Sequence, residues 1–488
     1  MSDSQTSKKF FGHPIQLSSL FHIELWERFS FYGMQGILTL YLYHEISKGG
    51  LGLEKGLAGG IAGAYSGSVY LATILGGWLA DRVWGAEKTL FNAGVVVMIG
   101  HILLALVPGL TGLFMGLVCI ALGSGGVKAS ASSMVGSLYE SEELRPLRDA
   151  GFSIFYISIN IGGFLGPLIT GLLHKKYGFH YGFGAAAVGM AVGLLCYYLG
   201  RKRLPHTPAP YPLNRGEGRR VGVAAIALIA VVVCAIKMGG LTLDNFGKVL
   251  LWVVSALTVG YFLRLLLNKD MTADNKHQIA AYIPMFAAIC VFWAVWYQVY
   301  TVLTFYFEGT VNRVLPSFIA FVDFEIPVPW KDSLQALWVI LFSGVLAALW
   351  TKLGVKQPKT PMKFVLAIFF AGATYLCFIP FLASNTPMPI LLFGLTLLVL
   401  TLGELLLSPI SLSFVTKIAP PMFKTQMVAL NFLALSLGFT LGGQLAHRYF
   451  NEADPIGYYW LLVGICAVTG GILLLLRPML NNLLKGVD

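Results

Sequence analysis

Three ionisable side chains lie within one predicted membrane-spanning stretch near the start of the chain. They are Glu24, Glu27 and Arg28. A charge at the centre of a bilayer costs about 2.5–3.5 kcal/mol on insertion scales, so three such charges within two helical turns need a functional reason. Residues at positions i, i+3 and i+4 share one face of a helix. We therefore predict that all three face one cavity and form a proton and substrate site.

The composition is that of an integral membrane protein. Of the 488 residues, 56% are hydrophobic and 12% are charged, and the mean hydropathy is +0.73. A soluble domain carries about 25% charged residues. The 55 glycines suit close approach of helices in lipid. Because the alternating pattern of strands is absent, the sequence predicts an all-α polytopic membrane protein.

Apolar stretches long enough to span a bilayer recur along the whole chain. The fourteen predicted spans are residues 16–44, 57–82, 88–108, 111–137, 150–173, 180–200, 221–238, 247–267, 279–307, 333–353, 362–383, 387–415, 425–447 and 457–478. With both termini in the cytoplasm, the loops on that side hold the excess of Lys and Arg, as the positive-inside rule requires. This prediction gives a multi-pass protein with cytoplasmic termini.

A basic, proline-containing segment at 201–220 is predicted to be a linker, because it cannot span the membrane. It separates six helices from the remaining eight. The predicted division is a six-helix bundle at 1–200, the linker with two inserted helices at 201–276, and a second six-helix bundle at 277–488.

Several functional classes are not favoured. The net charge of +11 arises from short loops beside the spans, so nucleic acid is not an expected partner. The six cysteines fall in different helices and lack the paired spacing of metal or redox motifs. No nucleophile–base arrangement or HExxH motif suggests an enzyme. The first fourteen residues are polar and predict no removable signal peptide. We expect no metal and no cofactor other than a coupling proton.

Two six-helix halves joined by a basic linker resemble the major facilitator superfamily, whose members bind substrate near the bilayer midplane. The segment Gly77-Trp-Leu-Ala-Asp-Arg-Val-Trp-Gly85 resembles the cytoplasmic loop motif of that superfamily. The resemblance assigns conformational gating to Asp81, Arg82 and Gly85. An ordinary charged turn is the alternative.

Three further segments resemble motifs of the proton-dependent oligopeptide transporters. Residues 24–33 resemble ExxERFxYYG, with Phe31 where the first Tyr is usual. Residues 155–162 resemble FYxxINxG, and residues 403–409 resemble GExxxSP. The resemblance covers nearly the whole chain, and the helix pair at 221–267 is similar to the insertion of bacterial members.

This resemblance implies a proton-coupled symporter that imports di- and tripeptides by alternating access across the bacterial inner membrane. Protons and membrane lipid would be its other partners, and it would act as a monomer. The implied proton-coupling residues are Glu24, Glu27, Arg28 and Lys128. The implied substrate-binding residues are Tyr32, Gln35, Tyr70, Lys128, Asn160, Trp293, Tyr297, Gln335 and Glu404. Among them, Lys128 would serve the peptide carboxylate and Glu404 the amino group.

The chain departs from the family pattern at three places. The segment 292–300 contains no acid, although helix seven of the family usually carries one. Gln35 stands where a base is usual, and Ala129-Ser130 replaces the favoured Pro-Asn. Losing an acid and a base from facing walls avoids an unpaired buried charge.

These departures change the expected charge balance of the site. Glu24, Glu27 and Glu404 face only two bases, Arg28 and Lys128, so one acid has no obvious partner. An unpaired buried carboxylate can hold a proton near neutral pH. With no acid in helix seven, we predict that Lys128 pairs with Glu24 or Glu27.

Each assignment has an alternative. Glu24 and Arg28 can form a static i,i+4 pair, Lys128 can extend toward the membrane surface, and Glu404 can satisfy backbone groups of a broken helix. The cargo can be another small amphoteric or anionic solute. A channel or receptor is the alternative from another class, but a channel needs a continuous polar lining.

Overall fold

The computed structural model describes residues 9–204, 207–269, 271–315, 324–420 and 423–484. Over this part of the chain it contains sixteen α-helices and four two-residue strands. The helices are α1 (Gln16–Tyr43), α2 (Lys55–Leu79), α3 (Ala86–Leu106), α4 (Gly109–Ser137), α5 (Arg148–Tyr177), α6 (Phe179–Gly200), α7 (Arg215–Lys237), α8 (Leu243–Leu266), α9 (Ala273–Trp296), α10 (Val302–Gly309), α11 (Trp330–Leu353), α12 (Thr360–Leu376), α13 (Ile379–Ser384), α14 (Ile390–Ile418), α15 (Lys424–Tyr449) and α16 (Ile456–Leu483). The strands are β1 (Lys9–Phe10), antiparallel to β2 (His13–Pro14), and β3 (Val311–Asn312), parallel to β4 (Met388–Pro389).

Twelve helical segments of the described residues are long and apolar enough to cross a membrane. The two other long helices are α1 and α2, which contain 28 and 25 residues. Both exceed the roughly 20 residues that a span requires. Charged residues in α1 and frequent glycines in α2 lower their hydropathy. Each of the fourteen predicted spans therefore lies mostly within helix, and the all-α polytopic class is confirmed.

The structure corrects the predicted spans at several points. The span predicted at 279–307 is broken: α9 ends at Trp296, a 3₁₀ turn follows at Tyr297–Tyr300, and α10 begins at Val302. The break occurs because Thr301 has φ −118° and ψ −97°, which no helix continues through. The span predicted at 362–383 is likewise divided between α12 and α13.

Most of the helices begin earlier than their predicted spans, and α7 and α11 are two of these. α7 starts at Arg215, six residues early, because Asn214 and Glu217 form a capping box. α11 starts at Trp330, three residues before its predicted span. This earlier start places Lys331 and Asp332 inside a helix, where the prediction had left them in a loop.

The chain divides into two compact units. Unit 1 comprises Met1–Leu38, Ser47–Leu51 and Ala72–Thr242, and unit 2 comprises Thr39–Ile46, Gly52–Leu71 and Leu243–Asp488. In unit 1, α3 packs against α4 and α6; in unit 2, α9 packs against α15 and α12 packs against α16. The inserted helix α7 belongs to unit 1 and α8 to unit 2. The predicted division at residues 200 and 276 stays a prediction.

Glycines set the spacing of the helices that carry the aromatic residues of unit 2. A Cβ atom at Gly438 of α15 would lie 2.6 Å from the Cβ of Trp293, and one at Gly442 would lie 2.6 Å from the carbonyl oxygen of Ala294. Because both distances are too short for real contacts, only glycine allows α15 to pack directly against α9. This packing fixes the position of Trp293.

Candidate functional site

A buried charge cluster occupies the middle of α1 in unit 1. Glu24, Glu27 and Arg28 are each at most 2% exposed. The Nε atom of Arg28 lies 3.3 Å from Oε1 of Glu24 and 2.5 Å from Oε2 of Glu27. Ser124 of α4 donates a hydrogen bond of 2.8 Å to the other oxygen of Glu27. The i, i+3, i+4 spacing thus brings two carboxylates to one guanidinium, and Oε2 of Glu24 has no hydrogen-bond partner among the described residues.

Direct contact between α1 and α5 fixes the position of Arg28. A Cβ atom at Gly162 would lie 2.4 Å from the carbonyl oxygen of Leu25 and 2.8 Å from the Cβ of Arg28. A Cβ atom at Gly166 would lie 2.4 Å from the carbonyl oxygen of Phe29. These two glycines allow the backbones to touch, so α5 determines where the arginine side chain starts.

Lys128 lies one helical turn after Ser124 on α4 and is half-buried. The charges of Arg28, Glu27 and Glu24 act on its ammonium group, as does the Tyr32 phenol. Unit 1 thus brings the four predicted proton-coupling residues into one electrostatic cluster. Its two acids and two bases balance. The direct pairing of Lys128 with Glu24 or Glu27 stays a prediction.

The other predicted binding residues of unit 1 are Tyr32, Gln35 and Asn160, and Tyr32 is the one whose ring lies near Arg28. The Tyr32 ring centre is 5.9 Å from the guanidinium carbon of Arg28, and the Phe31 ring centre is 5.0 Å from it. Gln35 is buried. Asn160 is half-buried and donates a hydrogen bond of 3.0 Å to the carbonyl oxygen of Tyr156 in its own helix.

Glu404 on α14 is the predicted substrate-binding acid of unit 2. Its Oε2 atom accepts a hydrogen bond of 2.9 Å from the indole nitrogen of Trp296 and one of 3.3 Å from the amide nitrogen of Gln335. Both donors are neutral. Within the part of the chain that the structure describes, Glu404 forms no ion pair, and its Oε1 atom receives no hydrogen bond from the protein. This is the acid without a basic partner that the charge balance predicts.

Aromatic rings adjoin Glu404 in unit 2. The Phe439 ring of α15 lies at their centre, with ring centroids 5.5 Å from Trp293, 6.1 Å from Trp296, 5.0 Å from Tyr297 and 5.1 Å from Tyr70. Sequence reasoning missed Phe439, because an apolar residue in an apolar helix gives no signal. These rings together form an apolar surface in unit 2.

The hydroxyl of Tyr297 forms hydrogen bonds within the protein, whereas the indole nitrogen of Trp293 has no hydrogen-bond partner among the described residues. The Tyr297 hydroxyl donates to the carbonyl oxygen of Ala62 at 2.7 Å and lies 2.8 Å from the Ser66 hydroxyl. The indole nitrogen of Trp293 is buried without a partner among the described residues. Trp293 is therefore the ring with a donor left for a ligand.

In the broken helix α9–α10, the neutral residue Gln298 lies in the segment where the family usually carries an acid. Gln298 is fully buried and donates to the carbonyl oxygens of Ala294 and Gly442 at 2.9 and 3.0 Å. Its own oxygen accepts from Thr301 at 2.8 Å and from Tyr458 at 3.0 Å. The amide is thus fully used, and it leaves no charge in this segment.

Sequence reasoning also missed a buried ion pair in unit 2, between Lys331 and Asp332 at the start of α11. Their side chains approach to 2.5 Å, and both residues are at most 5% exposed. Charged residues are common in loops, so the sequence gives no sign that this pair is buried. The pair becomes notable only because α11 begins before it, at Trp330.

The three predicted gating residues lie after α2 in unit 1. Asp81 and Arg82 belong to the turn Ala80–Trp84, and their carbonyl oxygens accept backbone hydrogen bonds from Tyr211 and Leu213 of the linker. Gly85 has φ +79°, and a Cβ atom there would lie 2.0 Å from the carbonyl oxygen of Thr207. Glycine is required at this turn.

Arg82 also reaches the inserted helix pair. Its guanidinium lies 3.2 Å from Oε2 of Glu217, the residue that completes the capping box of α7. The motif loop and the linker are therefore joined by backbone and side-chain bonds. Gating by these residues stays a prediction.

Comparison with known proteins places the chain among transporters. It is 40% identical to an uncharacterized transporter, YclF, of Bacillus subtilis, over 99% of this chain and 98% of that protein. It is 37% identical to a di-/tripeptide transporter of Lactococcus lactis subsp. cremoris, over 98% of each chain.

Solved structures agree with the fold. A peptide transporter POT crystallised with alafosfalin matches with a TM-score of 0.91 and 38% identity, over 98% of each chain. A POT family transporter crystallised with 5-aminolevulinic acid matches with a TM-score of 0.91 and 32% identity, over 97% of this chain and 98% of that one. The predicted transporter fold, with two inserted helices, is thereby confirmed.

The sequence profile of the POT family matches residues 87–460, which is most of the chain and lies beyond the charged motif of α1. The relatives and structures above match nearly the full length of the chain. The chain therefore belongs to the POT family.

Proposed function

We propose that the protein is a proton-coupled symporter that imports di- and tripeptides by alternating access across the bacterial inner membrane. Both termini would lie in the cytoplasm, and the chain would act as a monomer in lipid, moving its cargo without chemical change. The name of the Lactococcus relative supports the cargo, and the distribution of Lys and Arg among the loops supports the orientation.

The observation that carries the proposal is the hydrogen bonding of Glu404. Neutral donors from Trp296 and Gln335 both bind Oε2, so Oε1 has its lone pairs left for a ligand. A primary ammonium group offers three donors and a full charge, and it fits a carboxylate that has no basic partner. Glu404 would thus bind the amino end of a peptide.

The α1 cluster would couple this binding to the proton. Arg28 is shared by two carboxylates, so protonation of Glu24 or Glu27 would weaken one of its two bonds. The released base, Arg28 or Lys128, would then be available to a peptide carboxylate. Coupling follows if the proton and the peptide favour the same conformation, since each ligand then shifts the population toward it.

Uptake into proteoliposomes tests the proposal. An inward proton gradient should accumulate labelled dialanine above its equilibrium level, and unlabelled di- and tripeptides should compete with it. A chain that binds dialanine but does not accumulate it under the gradient would lack the proposed coupling. The matched control is N-acetyl-dialanine, which has no amino group for Glu404 and should compete poorly.

A second cargo class is supported by one observation. A POT family transporter of the same fold was crystallised with 5-aminolevulinic acid, which also carries an amino group and a carboxylate. Together with Gln35 and the acid-free segment 292–300, this supports a small amphoteric solute as the alternative. Stronger competition by 5-aminolevulinic acid than by dialanine would favour it.

A further inference from the structure

The Lys331–Asp332 pair of unit 2 is a buried ion pair that the proposed function leaves unused. The ammonium group of Lys331 donates to Oδ1 of Asp332 at 2.5 Å and to the carbonyl oxygen of Val299 at 2.7 Å. It also lies 5.5 Å from the centre of the Tyr300 ring. The second oxygen of Asp332 is buried and has no hydrogen-bond partner among the described residues.

This pair joins α11 to the break between α9 and α10. The 3₁₀ turn Tyr297–Tyr300 and the non-helical Thr301 leave carbonyl oxygens outside the regular helical pattern. The carbonyl oxygen of Val299 is one of them, and it accepts from both Lys331 and the Thr304 hydroxyl. Lys331 therefore supplies a donor that the broken helix needs.

The surroundings of Asp332 suit a group that gains and loses a proton. Among the described residues, Lys331 is the charged group that acts on it. The turn before α10 contributes the Tyr300 ring, and Gln335, one turn along α11, binds Glu404 of α14. If Asp332 becomes neutral, Lys331 keeps the Val299 carbonyl and the Tyr300 ring as partners. The buried ammonium group of Lys331 therefore keeps interaction partners when Asp332 is neutral.

A purely structural role explains less. An ion pair buried away from water can often be replaced by apolar side chains without loss of stability. One oxygen of Asp332 has no hydrogen-bond donor among the described residues. A buried polar atom without a partner is rare in proteins and calls for an explanation beyond a static ion pair. In the proposed orientation, the start of α11 is at the outer membrane face, where an imported proton enters.

We propose that Asp332 is a second proton-carrying residue of the transport cycle, and that Lys331 links its charge state to the broken helix α9–α10. This inference rests on the proposed proton coupling. It would supply, from α11, the acid that the segment 292–300 lacks.

The test compares Asp332→Asn with the double variant Lys331→Met/Asp332→Asn in proteoliposomes. Gradient-driven accumulation of dialanine, counterflow exchange of dialanine and peptide-induced proton entry are measured on each. Both variants should lose about tenfold or more in driven accumulation and proton entry, while counterflow stays within about threefold. The double variant carries no buried charge at this point, so it remains informative if Asp332→Asn alone fails to fold.

The matched control is Asp274→Asn, which makes the same chemical change in the first turn of α9 at an exposed position. It should leave all three measurements unchanged. Normal driven accumulation in Asp332→Asn, or its restoration in the double variant, would overturn the inference. An unmodified protein that exchanges dialanine but admits no protons would instead refute the coupling in the proposed function.

Discussion

Replacing Glu404 by Gln is the sharpest single test of how the substrate is held. The change keeps the size of the side chain and an oxygen that can accept from Trp296 and Gln335, but it removes the charge. A hydrogen bond to a charged group contributes about 1.5–3 kcal/mol. At 1.4 kcal/mol for each tenfold change, the affinity for dialanine should fall by about 10- to 140-fold.

The assay is inhibition of labelled dialanine counterflow by unlabelled dialanine and by N-acetyl-dialanine, in the unmodified protein and in Glu404→Gln. Acetylation removes the ammonium group, so it should cost affinity in the unmodified protein and cost little in the variant. This cycle isolates the interaction between the carboxylate and the amino group. Glu452→Gln is the matched control, because Glu452 is an exposed acid of unit 2 that binds Lys55.

Two results would refute the reasoning. One is an affinity of Glu404→Gln for dialanine within about threefold of the unmodified value, which corresponds to less than about 0.7 kcal/mol. The other is an equal penalty for acetylation in both proteins. Either would show that the amino group binds elsewhere and that Glu404 serves the broken-helix backbone or the proton instead.

Three further variants test the cluster of unit 1 and the packing that holds it. Lys128→Ala should lower gradient-driven uptake by about tenfold or more and spare counterflow; unchanged driven uptake would remove Lys128 from the coupling. Gly162→Ala should destabilise the protein by about 1–3 kcal/mol, because the added methyl group would overpack against α1. The melting temperature in detergent should fall accordingly. Gly184→Ala is the control and should not lower it, because no atom lies within 4 Å of a Cβ at that position. Gly85→Ala should lower the melting temperature more than Gly109→Ala, because both have positive φ but only Gly85 would clash with the linker; equal effects would leave the linker contact unsupported.

The sequence was most informative where the geometry is local. The spacing of Glu24, Glu27 and Arg28 predicts one helix face, and the structure pairs the arginine with both acids, because 100° per residue holds in any regular helix. The missing acid of segment 292–300 also follows directly from the residues. Glu404 was singled out by its motif, and the charge balance predicts an acid without a base.

Contacts between distant residues could not be read from the chain. Trp296 and Gln335 reach Glu404 from helices far apart in sequence, and no periodicity predicts that meeting. Lys331 and Asp332 were assigned to a loop because the apolar run begins after them. Lys331 binds the carbonyl oxygen of Val299 just before the break at Thr301, a contact that the sequence does not indicate.

The most direct test of the central claim is the entry of protons when peptide is added to proteoliposomes that contain a pH indicator. With no proton gradient imposed and an inside-negative membrane potential, addition of dialanine should acidify the interior, in proportion to the dialanine taken up. N-acetyl-dialanine should give little or no acidification. Uptake of dialanine without any proton entry would contradict proton-coupled peptide symport by this protein.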